Sequence, residues 1–200
     1  MKISIGCIVE GHGDEKAVPI VIRRIASDLD PSIVVDIPPP LRVPKTKLVK
    51  TELGELERSV EIMANKLRDK RAIVVLIDSD KDCPAELGPS LLERAKKARS
   101  DLFIAVVLAK MEFEAWFIAA AESLRGHRGL PMNLESPPDP EAIGDAKGWL
   151  ERRMEGGRKY SETIDQPALS AIFDFEQTQK KSDSFDKCYR EITNLFMELS

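Results

Sequence analysis

Two kinds of hydrophobic run alternate along the chain, short continuous blocks and helical stripes. Ile3, Ile5, Cys7, Ile8 and Val9 form the first block, Ile73 to Ile77 a second and Leu102 to Leu108 a third, each of strand length and bounded by polar residues. A shorter block, residues 33–37, is closed by Pro38, Pro39 and Pro40, which cannot continue a sheet ladder. Between the blocks lie stripes at the i, i+3, i+4, i+7 spacing of an amphipathic helix: Ala17, Val18, Val21, Ile22, Ile25, Ala26 and Leu29, then Leu56, Val60, Met63, Ala64 and Leu67, then Leu91, Leu92, Ala95 and Ala98. Asp14 is placed to N-cap the first helix, with Pro19 close enough to its start to be tolerated. The segment after Pro40 reads as a loop, and residues 112–124 as one further helix carrying Trp116 and Phe117. Strands that alternate with helices predict an α/β fold with a mostly parallel sheet flanked by helices.

Beyond Ser123 the pattern changes. Glycine and proline punctuate residues 126–140, and only helical patterning follows. The last stripe, Phe185, Cys188, Tyr189, Ile192, Leu195, Phe196 and Leu199, predicts a helix docked on the sheet. The expected organisation is an α/β core over residues 1–125 and a helical C-terminal portion over 126–200, packed together as one domain. That last apolar face could also pack against a second copy, so a homo-oligomer stays open.

Composition narrows the class. The 200 residues are 42% hydrophobic and 32% charged, the balance of a folded, water-soluble protein. No apolar stretch reaches the roughly 20 residues that cross a bilayer, and the start lacks a signal-peptide core. The expectation is a cytoplasmic protein without a membrane partner. Cys7, Cys83 and Cys188 lack metal-ligand spacing and suggest neither a disulfide framework nor a zinc site; Cys7 reads as strand core and Cys188 as apolar helix face.

A net charge of −4 gives no overall attraction to nucleic acid, yet basic residues cluster locally. Arg42, Lys45, Lys47 and Lys50 occur together without an acid, and Lys147, Arg152, Arg153, Arg158 and Lys159 form a second group. Each is either a solvated surface residue or a phosphate contact.

The candidate chemistry lies at two strand ends. Ile8-Val9 runs into Glu10, Gly11, His12, Gly13, Asp14 and Glu15, and the block ending at Ile77 runs into Asp78, Ser79, Asp80, Lys81 and Asp82. Ligands of open α/β sheets bind at the carboxyl ends of parallel strands, so the two acidic ends can meet there. Carboxylate oxygens suit Mg²⁺ or Mn²⁺, and Glu10, Asp78 and Asp80 meet that need. Alternation along an extended chain puts Asp78 and Asp80 on one side, with Glu15 and Asp82 available to a second ion or an outer shell. The plainer alternative for Asp-Ser-Asp is a turn with side-chain-to-backbone hydrogen bonds. Gly11 and Gly13 let the backbone approach a metal or phosphate, but the acids beside them do not fit a dinucleotide fingerprint. His12 reads as a surface loop residue. The third block would carry Lys110, Glu112 and Glu114 to the same sheet end; there Lys110 could offset phosphate charge in a transition state, while Glu112 could equally complement a helix dipole.

Glu10-Gly11 with Asp14-Glu15, and Asp78-Ser79-Asp80, resemble the Toprim domain of topoisomerases, DnaG-type primases and OLD-family nucleases. The resemblance extends to a bacterial Toprim-like family, domain of unknown function 4276, whose further signatures are similar to Ala109 to Phe117, Tyr160-Ser161-Glu162-Thr163 and Ser184-Phe185. It implies a Mg²⁺- or Mn²⁺-dependent site for phosphodiester hydrolysis of DNA or RNA. Glu10, Asp78 and Asp80 would be the metal and catalytic carboxylates, Lys110 a catalytic cation, Glu15, Asp82 and Glu112 further ligands, and Arg42, Lys45, Lys47 and Lys147 nucleic-acid contacts. Such families occur in bacterial anti-phage defence operons, in one system beside an ATPase, which makes a partner ATPase an expectation too. The alternative is a non-catalytic Toprim-like module that docks onto such an ATPase.

Overall fold

The computed structural model describes residues 2–68 and 70–199. Five parallel strands form one sheet: β1 (Lys2–Val9), β2 (Val34–Asp36), β3 (Leu41–Arg42), β4 (Arg71–Asp78) and β5 (Phe103–Ala109). Their order is β2-β1-β4-β5. β3 joins the same edge of the sheet as β2, pairing with Ile8 and Val9 of β1 while β2 pairs with Lys2 to Ser4. The three prolines therefore interrupt one edge of the sheet without ending it.

Helices cover both faces, as fully buried parallel strands require. α1 (Asp14–Leu29) lies on one face with α5 (Ala115–Ala119), α6 (Ala146–Glu151), α7 (Asp165–Ser170), α8 (Phe175–Lys181) and α9 (Asp183–Leu199). α2 (Lys45–Leu48), α3 (Glu55–Ala64) and α4 (Pro84–Ala98) lie on the other. The two-residue strand period assigns the partners: Ile3, Ile5, Cys7 and Val9 bury towards α1 and α9, and Ile8 towards α3. A Cβ on Gly6 would fall 2.1 Å from Met63 Cγ, so the absent side chain is what lets α3 lie close to β1.

The α/β class, the parallel sheet and the helical C-terminal portion agree with the sequence expectation and are consistent with a Toprim-like fold. The apolar stripe of α9 is spent internally, with Phe185, Cys188, Ile192 and Phe196 buried in the core that also holds β1 and α1. Three local expectations differ from the structure. The basic segment after Pro40 contains β3 and α2 rather than a loop. The predicted helix over 112–124 is a five-residue α5 followed by a 3₁₀ turn, Ala121–Leu124. Finally, α1 is N-capped by Gly13, because the Asp14 carboxylate points back to accept the Gly11 N–H at 2.7 Å. Among the described residues no helix is long and apolar enough to cross a membrane.

Candidate metal centre

β1 and β4 are neighbours in parallel register, with Val9 opposite Leu76, so Glu10 and Asp78 emerge side by side. β5 pairs on with Asp78 opposite Ala109, bringing Glu112 and Glu114 to the same end. This is where the strand order reverses, between β1 with its excursion to β2 and the return to β4, the position at which α/β sheets bind ligands. A cleft of 190 Å³ opens there, lined by Glu10, Asp14, Asp78, Asp80, Glu112, Glu114, Lys147, Glu162, Gly11 and Gln166.

The Asp78-Ser79-Asp80 turn is clamped to the segment after β5. Asp78 Oδ1 accepts the Phe113 N–H at 2.8 Å, Ser79 Oγ accepts the Met111 N–H at 3.0 Å, and the Asp80 N–H donates to Met111 O at 3.0 Å. Asp80 is left-handed, with φ of 49°, so strand alternation ends before it, and its carboxylate turns to Lys45. Aspartate tolerates that conformation better than most residues.

Seven of the cleft's side chains are carboxylates, and for Glu10, Asp14, Asp78 and Glu114 the surroundings oppose ionisation. Burial pushes the Glu10 carboxyl up despite the Lys45 backbone N–H, with the Asp80 and Asp14 charges adding to the rise. Burial likewise raises Asp14, against hydrogen bonds from Gly11 and from Gln166 Nε2 at 2.6 Å. Asp78 is held well above the carboxylate range by burial and by the charges of Asp14 and Glu114. Glu114 is fully buried and pushed up to about 7 by desolvation, although Lys147 and a 2.9 Å bond from Tyr160 Oη favour its charge. Two of these buried carboxylate oxygens, Glu10 Oε2 and Glu114 Oε2, have no hydrogen-bond partner. An unpaired buried acceptor costs roughly 1–3 kcal/mol, more when charged, so each is suited to receive a ligand from the cleft.

The C-terminal helical portion closes the cleft. Lys147, on α6, pairs with Glu162 at 3.0 Å; burial opposes its charge, but Glu114, Glu162 and Asp78 outweigh it and hold the ammonium above its usual range. Glu112 Oε2 accepts the Ala146 and Lys147 N–H groups at 2.7 and 3.2 Å, stitching α6 to the β5 end. The 160–166 segment is pinned by fully buried Asp165, which is held by Arg128 at 2.8 Å, by Arg158 and by the Ser161 N–H at 2.9 Å. A Cβ on Gly13 would sit 1.8 Å from Gln166 Oε1 and 2.6 Å from the Glu162 carbonyl. Gly13→Ala is therefore expected to force the 160–166 segment off the cleft and destabilise the protein by roughly 1–3 kcal/mol, read as a lower urea midpoint. An unchanged midpoint would refute this account of Gly13.

Of the sequence-derived candidates, Glu10, Asp78, Asp80, Glu112 and Lys147 line the cleft. Glu15 and Asp82 do not: Glu15 faces His12 Nδ1 at 3.4 Å, and Asp82 Oδ2 faces Lys45 Nζ at 2.8 Å. Lys45 is turned inward rather than lying at the surface among the other basic residues. It is 5% exposed and donates to Asp80 and Asp82, both at 2.8 Å, and to Ser79 O. Lys110, just past the end of β5, lies outside the cleft, in a second cavity that Pro84, Leu108 and Lys187 also line. Arg42 and Lys47 are exposed, and Val43 N–H bonds Val9 O at 2.8 Å, which keeps their segment beside Glu10. Asp14, Glu162 and Gln166 are cleft residues the sequence reading assigned no such role, and Glu114 proves its most buried carboxylate. The spacing of Glu114 from β5 was legible, whereas the partners across 46 and 152 residues, Tyr160 with Glu114 and Gln166 with Asp14, were not.

The sequence profile of a family described as Domain of unknown function (DUF4276) matches residues 9–193. No curated protein and no solved structure matches the chain.

Proposed function

The chain belongs to the DUF4276 family, and from that premise we propose that it is a Toprim-like, Mg²⁺- or Mn²⁺-dependent phosphodiesterase acting on DNA or RNA. The observation that carries this reading is the pair of buried, unpartnered carboxylate oxygens on Glu10 and Glu114 within one acidic cleft at the switch point of the sheet. The donor set is all oxygen, which fits a hard divalent cation. Among the described residues no three Asp, Glu, His or Cys side chains stand as a ready-made metal-holding group, so the fit is one of chemistry rather than preset geometry. Magnesium commonly takes one or two carboxylates and completes its shell with water and phosphate, so a loosely gathered set suffices.

Glu10, Asp78 and Glu114 would hold the ion, with Asp80 released from Lys45 as a further ligand. Bound there, the cation supplies Lewis acidity towards phosphate and its leaving oxygen and acidifies water. Lys147, beside these carboxylates, offsets phosphate charge, and the exposed Arg42 and Lys47 hold the backbone of the nucleic acid next to Glu10. Function in anti-phage defence, in the cytoplasm and beside a partner ATPase, belongs to the same proposal.

A Mn²⁺ titration followed by electron paramagnetic resonance tests the centre. Wild type is expected to bind and the isosteric Glu10→Gln/Asp78→Asn variant to lose binding while keeping its circular dichroism spectrum. Equal binding by both would remove the proposed ligands.

A specific observation favours a second reading, the non-catalytic module that docks onto an ATPase. Lys45 and Lys147 already stand as protein cations against Asp80, Asp82 and Glu162. Absence of Mn²⁺ binding, with and without an added oligonucleotide, would select this version.

A further inference from the structure

Lys45 stands between the two acidic strand ends and serves both. Its backbone N–H faces the Glu10 carboxylate at the end of β1 and favours its charge, while its ammonium reaches Asp80 and Asp82 beyond the end of β4, at 2.8 Å each. Ser79 O accepts a third bond from the same nitrogen, so every ammonium proton has an acceptor. The turn that supplies these oxygens is closed by the Asp82 N–H, which donates to Ser79 O at 2.9 Å. Two carboxylates and a carbonyl thus converge on one positive centre, an all-oxygen set of the kind that hard divalent cations take.

Exposure is uneven across this cluster. The Lys45 side chain is 7% exposed, whereas those of Asp80 and Asp82 are 62% and 57% exposed. The acids are therefore open to an ion arriving from water, and withdrawal of the ammonium would leave no buried charge unpaired. Asp80 is the residue with two roles. It lines the cleft together with Glu10, Asp78 and Glu114, and its carboxylate is held by Lys45.

The backbone on either side of this pair is fixed. Leu48 is fully buried, and Arg94 Nη1 donates to the Leu48 and Val49 carbonyls at 2.9 and 3.2 Å, which anchors the end of α2. Arg94 is held in turn by both carboxylate oxygens of Glu57, at 2.7 and 2.9 Å. Opposite it, the backbone of Asp80 is tied to Met111. Any exchange of partners by Asp80 is consequently made by side chains alone, and the four-carbon stem of lysine is flexible enough to make it.

We propose that Lys45 is an internal competitor for the cation of the cleft: while its ammonium holds Asp80 at the rim, Asp80 is withheld from a divalent ion, and ligation by Asp80 requires the ammonium to swing away. The proposal rests on the metal-dependent reading above and adds to it a control on loading. A ligand's apparent affinity falls by the fraction of molecules in the competent state, so the Lys45–Asp80 pair raises the concentration of divalent ion at which the cleft fills.

The test measures Mn²⁺ affinity by electron paramagnetic resonance on the whole protein as wild type, Lys45→Met, Asp80→Asn and the double variant, with circular dichroism and the urea midpoint as folding controls. Methionine keeps an unbranched apolar stem and removes the charge. Lys45→Met is expected to bind Mn²⁺ about tenfold more tightly than wild type, as for an Asp80 released from its pair in about a tenth of wild-type molecules. In the Asp80→Asn background the same substitution should change affinity less than about twofold, since the two residues act as one coupled pair. Lys45→Gln, which retains a donor for Ser79 O, replaces Lys45→Met if the latter lowers the urea midpoint. Binding by the Lys45 variant alone would support the proposal in its strongest form. An equal gain in both backgrounds would show that Lys45 acts only through its field, and would overturn it. Unchanged or weaker binding by Lys45→Met, with wild type binding, would overturn it and leave the metal centre standing. Absence of binding by every variant would remove the metal-dependent reading and the proposal with it.

Discussion

Asp78→Asn is expected to reduce Mn²⁺-dependent cleavage of a DNA or RNA substrate on the order of a thousandfold, about 4 kcal/mol of transition-state stabilisation, with the fold intact. Asp78 lies between the β1 end with Glu10 and the β5 end with Glu114, and burial, with the like charges of Asp14 and Glu114 added, raises its carboxyl. The amide keeps the shape and can still accept the Phe113 N–H through its carbonyl, so what it removes is chiefly the negative charge offered to a cation. Asp80→Asn should cost less, because Asp80 is already paired with Lys45, and comparing the two variants separates the buried carboxylate from the one at the rim. The check is single-turnover cleavage on single- and double-stranded DNA and RNA, with circular dichroism as the folding control. Wild-type rates in the Asp78 variant would sink the hydrolytic mechanism, and no cleavage by wild type on any substrate would favour the non-catalytic module.

The second large effect is on stability as a function of pH. In the folded protein the Glu114 carboxyl is pushed up to about 7 by burial, from its usual 4.5. A raised carboxyl binds its proton more tightly folded than unfolded, so stability is greatest below the unfolded value and falls as pH rises through the folded one. The loss amounts to about 3 kcal/mol by pH 8, and Glu10, Asp14 and Asp78 act in the same direction. Lys147 does not cancel this, because a raised ammonium loses its contribution only on the alkaline side of its usual range. The cation-free protein should therefore melt at lower urea at about pH 8 than at about pH 5.5, and Glu114→Gln should flatten the profile. Added Mg²⁺ or Mn²⁺ should restore stability at the higher pH, since a ligand held only by the folded state stabilises it by mass action. A flat profile in the wild type, or one that Glu114→Gln leaves unchanged, would show that this carboxylate is not the strained group.

The two predictions join at one physical conflict. Several carboxylates share a partly dry cleft, and the chain resolves it incompletely with Lys147, Gln166, Tyr160 and the Gly11 N–H. Structural clusters of this size are normally satisfied within the protein. The orphaned oxygens of Glu10 and Glu114 are the part of this cluster that no described group of the chain satisfies.

What the sequence determined by itself was the alternation of buried strands and helices and the acid at each strand end. Burial on both faces imposes continuous apolar blocks, and a parallel sheet sends every following loop to the same end. Glu10 and Asp78 could thus be paired before any contact was seen. Tertiary structure alone decided the rest of the site, because burial and pairing depend on residues far apart in the chain. Lys45 looked like a solvated cation among others in a basic run, and only the packing of β3 and α2 beside β1 turned it inward onto Asp80 and Asp82. Lys110 and Glu112 are two residues apart, yet β5 has already ended at Ala109 and left-handed Met111 stands between them, so the one is left in a second cavity while the other is bound to α6 and lines the cleft. Glu114 became the most buried acid of the cleft because Tyr160 folds over it, a contact that spacing along one strand cannot encode.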